Sequence, residues 1–367
     1  MSTVTLSGRG LGSLGFRVLD VAVCEQRSVW LGLWRAWANE EIMAHPDYVA
    51  LLARPEDRVV CVAGESEGGV VLFPMLLRAL AAEPWTRPGE RRWDAISPYG
   101  YGGPLAWGPG PRDDAAFWRA HAAWCREERI VSTFARLSLF EGDLAALPWT
   151  PLSRGGNIVV PLSNGLEAVW RGYKKDVRRR VRGAERSGLQ VVADPTGDRL
   201  DDFLTVYTHT MHRREANAEY FFARGFFEAI IAHQPGRFMF HHVLLGGEVV
   251  ASELTLHSKE RAYGFLGGTL EAALHLGASS FLLHAVATWA VAAGKKHYVL
   301  GGAHRRGDGL LENKRRFAPR GEHPFKVLCA VHDQDGYREL FHDREIFETR
   351  NGRSWEPRPE FFPAYRG

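Results

Sequence analysis

The stretch Arg237–Gly302, RFMFHHVLLGGEVVASELTLHSKERAYGFLGGTLEAALHLGASSFLLHAVATWAVAAGKKHYVLGG, is where the fold can be read. Two apolar runs, Arg237 to Leu245 and Glu248 to Leu256, flank Gly246-Gly247, a pair suited to a two-residue hairpin turn. A third strand is expected at Arg261 to Leu266. Gly267-Gly268-Thr269 follows, then Gly277-Ala-Ser-Ser280 opening a helix to about 293, and a last strand from Lys296 to Leu300. Upstream, Phe203, Leu204, Tyr207 and Met211, then Phe226, Phe227, Ile230 and Ile231, recur at helical spacing.

The first half of the chain runs through the same order. Trp30, Leu33, Trp34 and Ala38 suggest one helix, and Tyr48, Leu51 and Leu52 another. The strand Arg58 to Ala63, a turn at Gly68-Gly69 and the strand Val70 to Leu77 come next, followed by the loop Ser97-Pro-Tyr-Gly-Tyr-Gly-Gly-Pro104. A helix over about 113–128 opens with Asp113-Asp114, whose charge suits a helix N-terminus, and a strand from Ile130 closes the unit. The expected fold class is α/β with mixed sheets: two tandem copies of one unit with a ligand cleft between them. Residues 1–155 and 156–321 form the two copies, and the Pro/Gly-rich stretch Pro148 to Asn157 reads as their hinge. A chain of 367 residues suits two domains at about 150 residues each.

Composition excludes several functions. The balance of 46 Lys and Arg against 43 Asp and Glu leaves +3, too little for a protein that binds nucleic acid with its whole surface. Cys24, Cys61, Cys125 and Cys329 form no CxxC pair, so a zinc ribbon and a disulfide framework are unlooked for and a reducing compartment fits. The first residues lack a basic start with an apolar run behind it, which argues against a secretory signal. The apolar runs Val70 to Ala82 and Phe281 to Ala293 are broken by Pro74 and Arg78, and by His284, and fall short of the roughly 20 residues a membrane span needs. A soluble, cytoplasmic, monomeric protein is the expectation.

Charge is concentrated in one place. From Leu166 to Gln190 the chain reads LEAVWRGYKKDVRRRVRGAERSGLQ, with eight cations against three anions, or +5. Trp170, Tyr173, Val177, Val181 and Ala184 fall on one helical stripe. Lys174, Arg178, Arg182 and Arg186 stack four residues apart, where like charges cost a few tenths of a kcal/mol per pair. A phosphate-bearing ligand would compensate that repulsion, and arginine's planar fork suits phosphate oxygens. A second basic run, Asn313 to Arg320, lies near the end of the second copy.

These segments carry a resemblance. Trp170, Tyr173 and the run Val177 to Val191 resemble the start of the second domain in FemABX-type aminoacyltransferases. The block Leu282 to Gly302, with Gly309-Leu-Leu and Lys314-Arg-Arg-Phe317, is similar to that family's closing motifs, and His45-Pro-Asp-Tyr48 and the SPYGYGGP loop also match family members. The resemblance implies two tandem GNAT-like acyltransferase domains, with the segment 322–367 packing back on the first. It implies transfer of an amino acid from aminoacyl-tRNA to the amine of a peptidoglycan precursor or natural-product intermediate, with no cofactor beyond the tRNA co-substrate. By the same resemblance, Lys314 of the K-x-x-F motif is the cation at the oxyanion or leaving oxygen, and Phe317 is its aromatic partner.

An aminoacyl ester is already activated, so the protein must deprotonate the acceptor, align two substrates and stabilise an oxyanion. Strand alternation puts Glu253 on the face of Ala251, opposite Val250, Ser252 and Leu254, where burial would raise its pKa toward that of a general base. Asp308, between Gly307 and Gly309, is a second candidate. Tyr173, Lys174, Lys175, Arg178, Arg179, Arg182 and Phe317 are expected to bind substrate, as are Tyr99 and Tyr101, whose glycine neighbours allow close approach. No metal site is expected: there is no HExxH, and His241 and His242, adjacent on a strand, point to opposite faces. The rival reading is an acyl-CoA-dependent GNAT N-acyltransferase. The loop before a GNAT helix ordinarily reads Q/R-x-x-G-x-G/A, and here Leu274 and Ser279 replace its first and last residues. A non-catalytic RNA- or phosphosugar-binding protein is the third reading.

Overall fold

The structure is a computed structural model that describes residues 14–217, 220–302, 309–359 and 361–367. It divides into two compact units. The first takes the described residues of Met1–Trp37, Met43–Arg154 and Phe325–Gly367, and the second takes those of Ala38–Ile42 and Gly155–Pro324.

The first unit carries strands β1 (Gly15–Asp20), β2 (Arg58–Ser66), β3 (Gly69–Ala79), β4 (Trp93–Ile96), β5 (Leu105–Trp107) and β6 (Ile130–Arg136), with helices α1 (Cys24–Ala36), α2 (Pro46–Ala50) and α3 (Asp114–Glu127). The second carries β7 (Leu152–Pro161), α4 (Gly165–Gly172), α5 (Lys175–Arg186), β8 (Gln190–Asp194), α6 (Leu200–Arg213), α7 (Arg224–His233), β9 (Phe238–Leu245) and β10 (Glu248–His257). It continues through β11 (Arg261–Thr269), α8 (Glu271–Leu274), α9 (Ala278–Ala292), β12 (His297–Gly301) and α10 (Leu310–Arg315). The chain ends with β13 (Glu322–Val331) and α11 (Gln334–Arg350).

The duplication expected from the sequence is present strand for strand. In the first unit the order β1-β2-β3-β4-β6-β13 is antiparallel at every step except β4 with β6, which are parallel. In the second, β8-β9-β10-β11-β12-β7 repeats that pattern, with β11 and β12 the parallel pair. A parallel pair needs a crossover, supplied by α3 in one copy and α9 in the other. The sixth strand is exchanged: β7, next in the chain after β6, joins the second sheet, and β13, the next strand after β12, joins the first. Residues 152–157 of the stretch read as a hinge are therefore strand, the first part of β7, whose residues 158–161 pair with β12.

Both faces of each sheet are covered, as near-continuous apolar strands require. On β2, Val60 and Val62 pack toward Phe117 and Trp118 of α3, and Val59, Cys61 and Ala63 pack toward Trp30 and Trp34 of α1. In the second unit, Phe203 of α6 meets both Phe227 of α7 and Phe240 of β9 edge to face. Gly246 and Gly247 both have positive φ, +60° and +94°, the backbone of a tight hairpin turn that puts Leu245 opposite Glu248.

The basic stretch departs from the single helix its stripe predicts. Tyr173 and Lys174 are extended (ψ 146° and 153°) and separate α4 from α5. The break leaves Val177, Val181 and Ala184 as the buried stripe of α5, and sends Tyr173 inward.

Candidate active site in the second unit

Strand alternation places Glu253 as expected. It lies directly across from His241 on β9 and Gly267 on β11, and shares its face with Ala251. Its side chain is only 9% exposed. The Tyr298 hydroxyl, two strands away on β12, donates to its Oε1 at 2.6 Å, and Thr255 donates to the same oxygen at 3.4 Å. Burial pushes the carboxyl up from 4.5 to about 7, against the opposing effects of the Tyr298 hydrogen bond, the Lys314 charge and Thr255. The strand register shifts between Leu254 and Thr255, and a Cβ at Gly264 would come within 3.0 Å of the carboxylate. A glycine there leaves the carboxylate room.

Lys314 stands on α10, and its Nζ donates to the Gly302 carbonyl at 2.8 Å, just beyond the end of β12. Its positive charge is felt at Glu253, so the cation and the carboxylate belong to one electrostatic group. The neighbouring Asn313 accepts from Arg180 at 3.4 Å. Asp308 lies outside the described residues.

Two residues expected to bind substrate are core instead. Tyr173 and Phe317 are each 2% exposed and meet ring to ring at 5.2 Å. The Tyr173 hydroxyl reaches His284 Nδ1 at 3.4 Å, and burial drives its pKa up. The reason is the break at 173–174, which turns Tyr173 beneath α5, where Val177, Val181 and Val286 complete the cluster.

The basic residues divide into two groups. Arg178 donates to the carbonyls of Arg171, at 3.2 Å, and Tyr173, satisfying the end of α4. Arg182 lies over the Trp170 ring at 5.4 Å. Arg180 and Arg316 converge on Asp176, whose carboxyl they hold below its usual range. Lys174, Lys175 and Arg179 are exposed and have no acidic partner among the described residues. With Arg186, likewise exposed and without an acidic partner among the described residues, they are the cations of this stretch that a polyanion could neutralise.

Tyr99 and Tyr101 belong to the first unit and are half-buried. Tyr48 donates to the Tyr99 carbonyl at 2.8 Å, and Arg136 lies over the Tyr99 ring at 5.7 Å. Gly100 has φ +109°, and a Cβ there would collide with Met43 Sδ at 2.5 Å, so the loop needs glycine for packing.

At the start of α9, Gly277 has φ +79° and a Cβ on it would come within 3.0 Å of the Arg180 carbonyl. The backbone of α5 thus lies over the loop where a GNAT unit ordinarily holds pyrophosphate. The two adjacent histidines face oppositely: His241 meets Trp289 of α9 at 5.2 Å, and His242 contacts Ser252 Oγ at 2.9 Å with Asp194 at 3.7 Å. Among the described residues no group of three or more His, Cys, Asp or Glu could hold a metal ion, and no helix is long and apolar enough to cross a membrane. Tyr298 was missed in the sequence. Its only signal there is a polar-tipped aromatic inside an apolar strand.

Comparison with known proteins follows this geometry. Residues 171–327 match the family model described as Acetyltransferase (GNAT) domain. No curated protein matches the sequence. Among solved structures, FemX superposes with a TM-score of 0.64 at 11% identity, over 85% of this chain and 98% of that one. A conserved protein of unknown function from Bacteroides thetaiotaomicron gives 0.55 at 11% identity, covering 86% and 99%. The C-terminal domain of a putative lysylphosphatidylglycerol synthetase from Agrobacterium fabrum gives 0.51 at 13% identity, covering 88% and 97%. At these identities the likeness is one of fold, and at that level the FemABX-like resemblance read from the sequence holds. Residues 171–327 are therefore similar to an acetyltransferase (GNAT) domain, within a fold that the chain shares with FemX.

Proposed function

We propose that this chain is an aminoacyltransferase that forms an amide by moving an amino acid from aminoacyl-tRNA to the amine of a small or cell-wall-precursor acceptor. The observation that carries the reading is Glu253: a carboxylate with a pKa near 7, bonded to Tyr298 and within the field of Lys314, inside the GNAT-matched unit. A base poised near neutrality is what an amine acceptor requires.

In this scheme the acceptor amine gives a proton to Glu253 as its nitrogen attacks the ester carbonyl. A carbon–nitrogen bond forms, and the tetrahedral oxyanion gathers charge near Lys314. Collapse breaks the ester carbon–oxygen bond, and the leaving ribose oxygen takes up the proton that Glu253 received, which restores the carboxylate. Tyr298 holds the Glu253 carboxylate in place, and alignment of the two substrates supplies most of the acceleration, about 7–11 kcal/mol. The exposed Lys174, Lys175 and Arg179 would meet the phosphates of the donor.

An acyl-CoA donor is the second reading. It is disfavoured by Leu274 and Ser279 in the pyrophosphate loop and by the α5 backbone packed over Gly277. The deciding experiment offers the protein a pool of radiolabelled aminoacyl-tRNAs or labelled acetyl-CoA, with candidate amines. Label reaching the amine from tRNA supports the proposal, and label moving only from acetyl-CoA refutes it.

A further inference from the structure

The first unit holds a cavity of about 600 Å³ that the proposed reaction does not use. Its wall is arginine: Arg87, Arg91 and Arg92 from the segment before β4, and Arg126 and Arg129 from the end of α3, with Pro88 as apolar surface. The volume is that of a small-molecule pocket, for which roughly 300–1,000 Å³ is usual.

Two of these cations are spent. Arg92 forks onto Glu90 at 2.8 and 3.0 Å, and Arg87 pairs with Asp343 at 2.6 Å. The cavity's other carboxylate, Asp333, caps α11 by accepting the Gly336 N–H at 2.9 Å. Arg91, Arg126 and Arg129 have no acidic partner among the described residues. One cation answers the partial negative charge at a helix C-terminus, and here there are three unpaired ones in a single concavity. Arg129 is moreover held at φ +58°, just past α3, a position where glycine is the default. The cavity also lies at the opposite end of α3 from the loop that precedes this helix, so it is not the place of a GNAT pyrophosphate loop.

We infer that this cavity is an anion site for a small molecule of nucleotide size that carries a diphosphate group. Guanidiniums without carboxylate partners bind phosphate oxygens in bidentate pairs, and the exposed ring of Pro88 offers an organic moiety an apolar contact. Cations brought from two chain segments around one concavity favour a compact diphosphate over the backbone of RNA, which would track a linear row of cations such as that on α5.

Isothermal titration of the full chain with sodium pyrophosphate, ADP and a short single-stranded RNA tests this. Pyrophosphate and ADP should bind with dissociation constants below about 1 mM. R91Q and R126Q should each weaken that binding roughly tenfold or more. R129G removes a cation while relieving the positive φ, so it should weaken binding equally without loss of thermal stability. Heat from RNA alone, from none of the titrants, or unchanged affinity in the three variants overturns the assignment. Because the readout is binding and not turnover, its failure would leave the aminoacyl-transfer reading standing, and the reverse also holds.

Discussion

Replacing Glu253 with glutamine keeps the shape of the side chain and an oxygen that accepts from Tyr298 and Thr255, but removes its proton equilibrium. In the native protein the carboxyl sits at about 7, raised from 4.5 by burial. At ~1.4 kcal/mol per unit, a rise of that size is worth about 3 kcal/mol between the two protonation states. The sign follows from the folded state binding the proton more tightly than the unfolded one. Stability from this group is fully present below pH ~4.5 and is lost as pH rises through about 7. Urea denaturation across pH 4 to 8 should therefore show the wild type losing about 3 kcal/mol relative to E253Q. Turnover should move the other way. Wild-type kcat/KM should climb through an apparent pKa near 7, and E253Q should fall by about 10²–10⁴ with that inflection gone. An E253Q protein with near-native turnover and the same inflection would refute the base assignment. A stability difference that does not change with pH would refute the buried, proton-retaining carboxyl itself.

Lys314→Ala should cut turnover roughly tenfold or more while leaving far-UV circular dichroism and the melting temperature near wild type, because one positioned donor to an oxyanion is removed. Arg178→Ala should destabilise the fold by about 1–3 kcal/mol in denaturant titration, since it strips the carbonyls at the end of α4 of their donor. Lys175→Ala and Arg179→Ala, both exposed and without acidic partners, should leave stability within about 0.5 kcal/mol. In filter binding of aminoacyl-tRNA over a salt series, each should lower the log–log slope by about 0.7–0.9 if it neutralises one phosphate.

The two basic segments show where sequence reading succeeds and where it stops. The stripe Val177, Val181 and Ala184 on α5 is buried as its spacing predicts, because a helix repeats every 3.6 residues whatever surrounds it. The break at Tyr173–Lys174 is not encoded in that period. It takes the packing of Tyr173 against Phe317, more than a hundred residues away, to turn the chain there. Arg178 looks like one more cation in a row of cations, and only the fold shows it serving the carbonyls of the preceding helix. Glu253 was legible by alternation with Ala251, whereas Tyr298 was not, since the two meet only once β11 is laid between β10 and β12.

Local periodicity, turn glycines and the order of elements were enough to determine a doubled α/β chain, because each depends on backbone geometry over a few residues. The tertiary structure alone decided that the strand after each copy's parallel pair serves the other sheet, that Tyr173 and Phe317 are core, and that Glu253 holds its proton near neutrality. Those outcomes depend on desolvation and on partners distant in the chain. A carboxylate's pKa is set by what excludes water around it, and the identity of those neighbours exists only after the chain has folded.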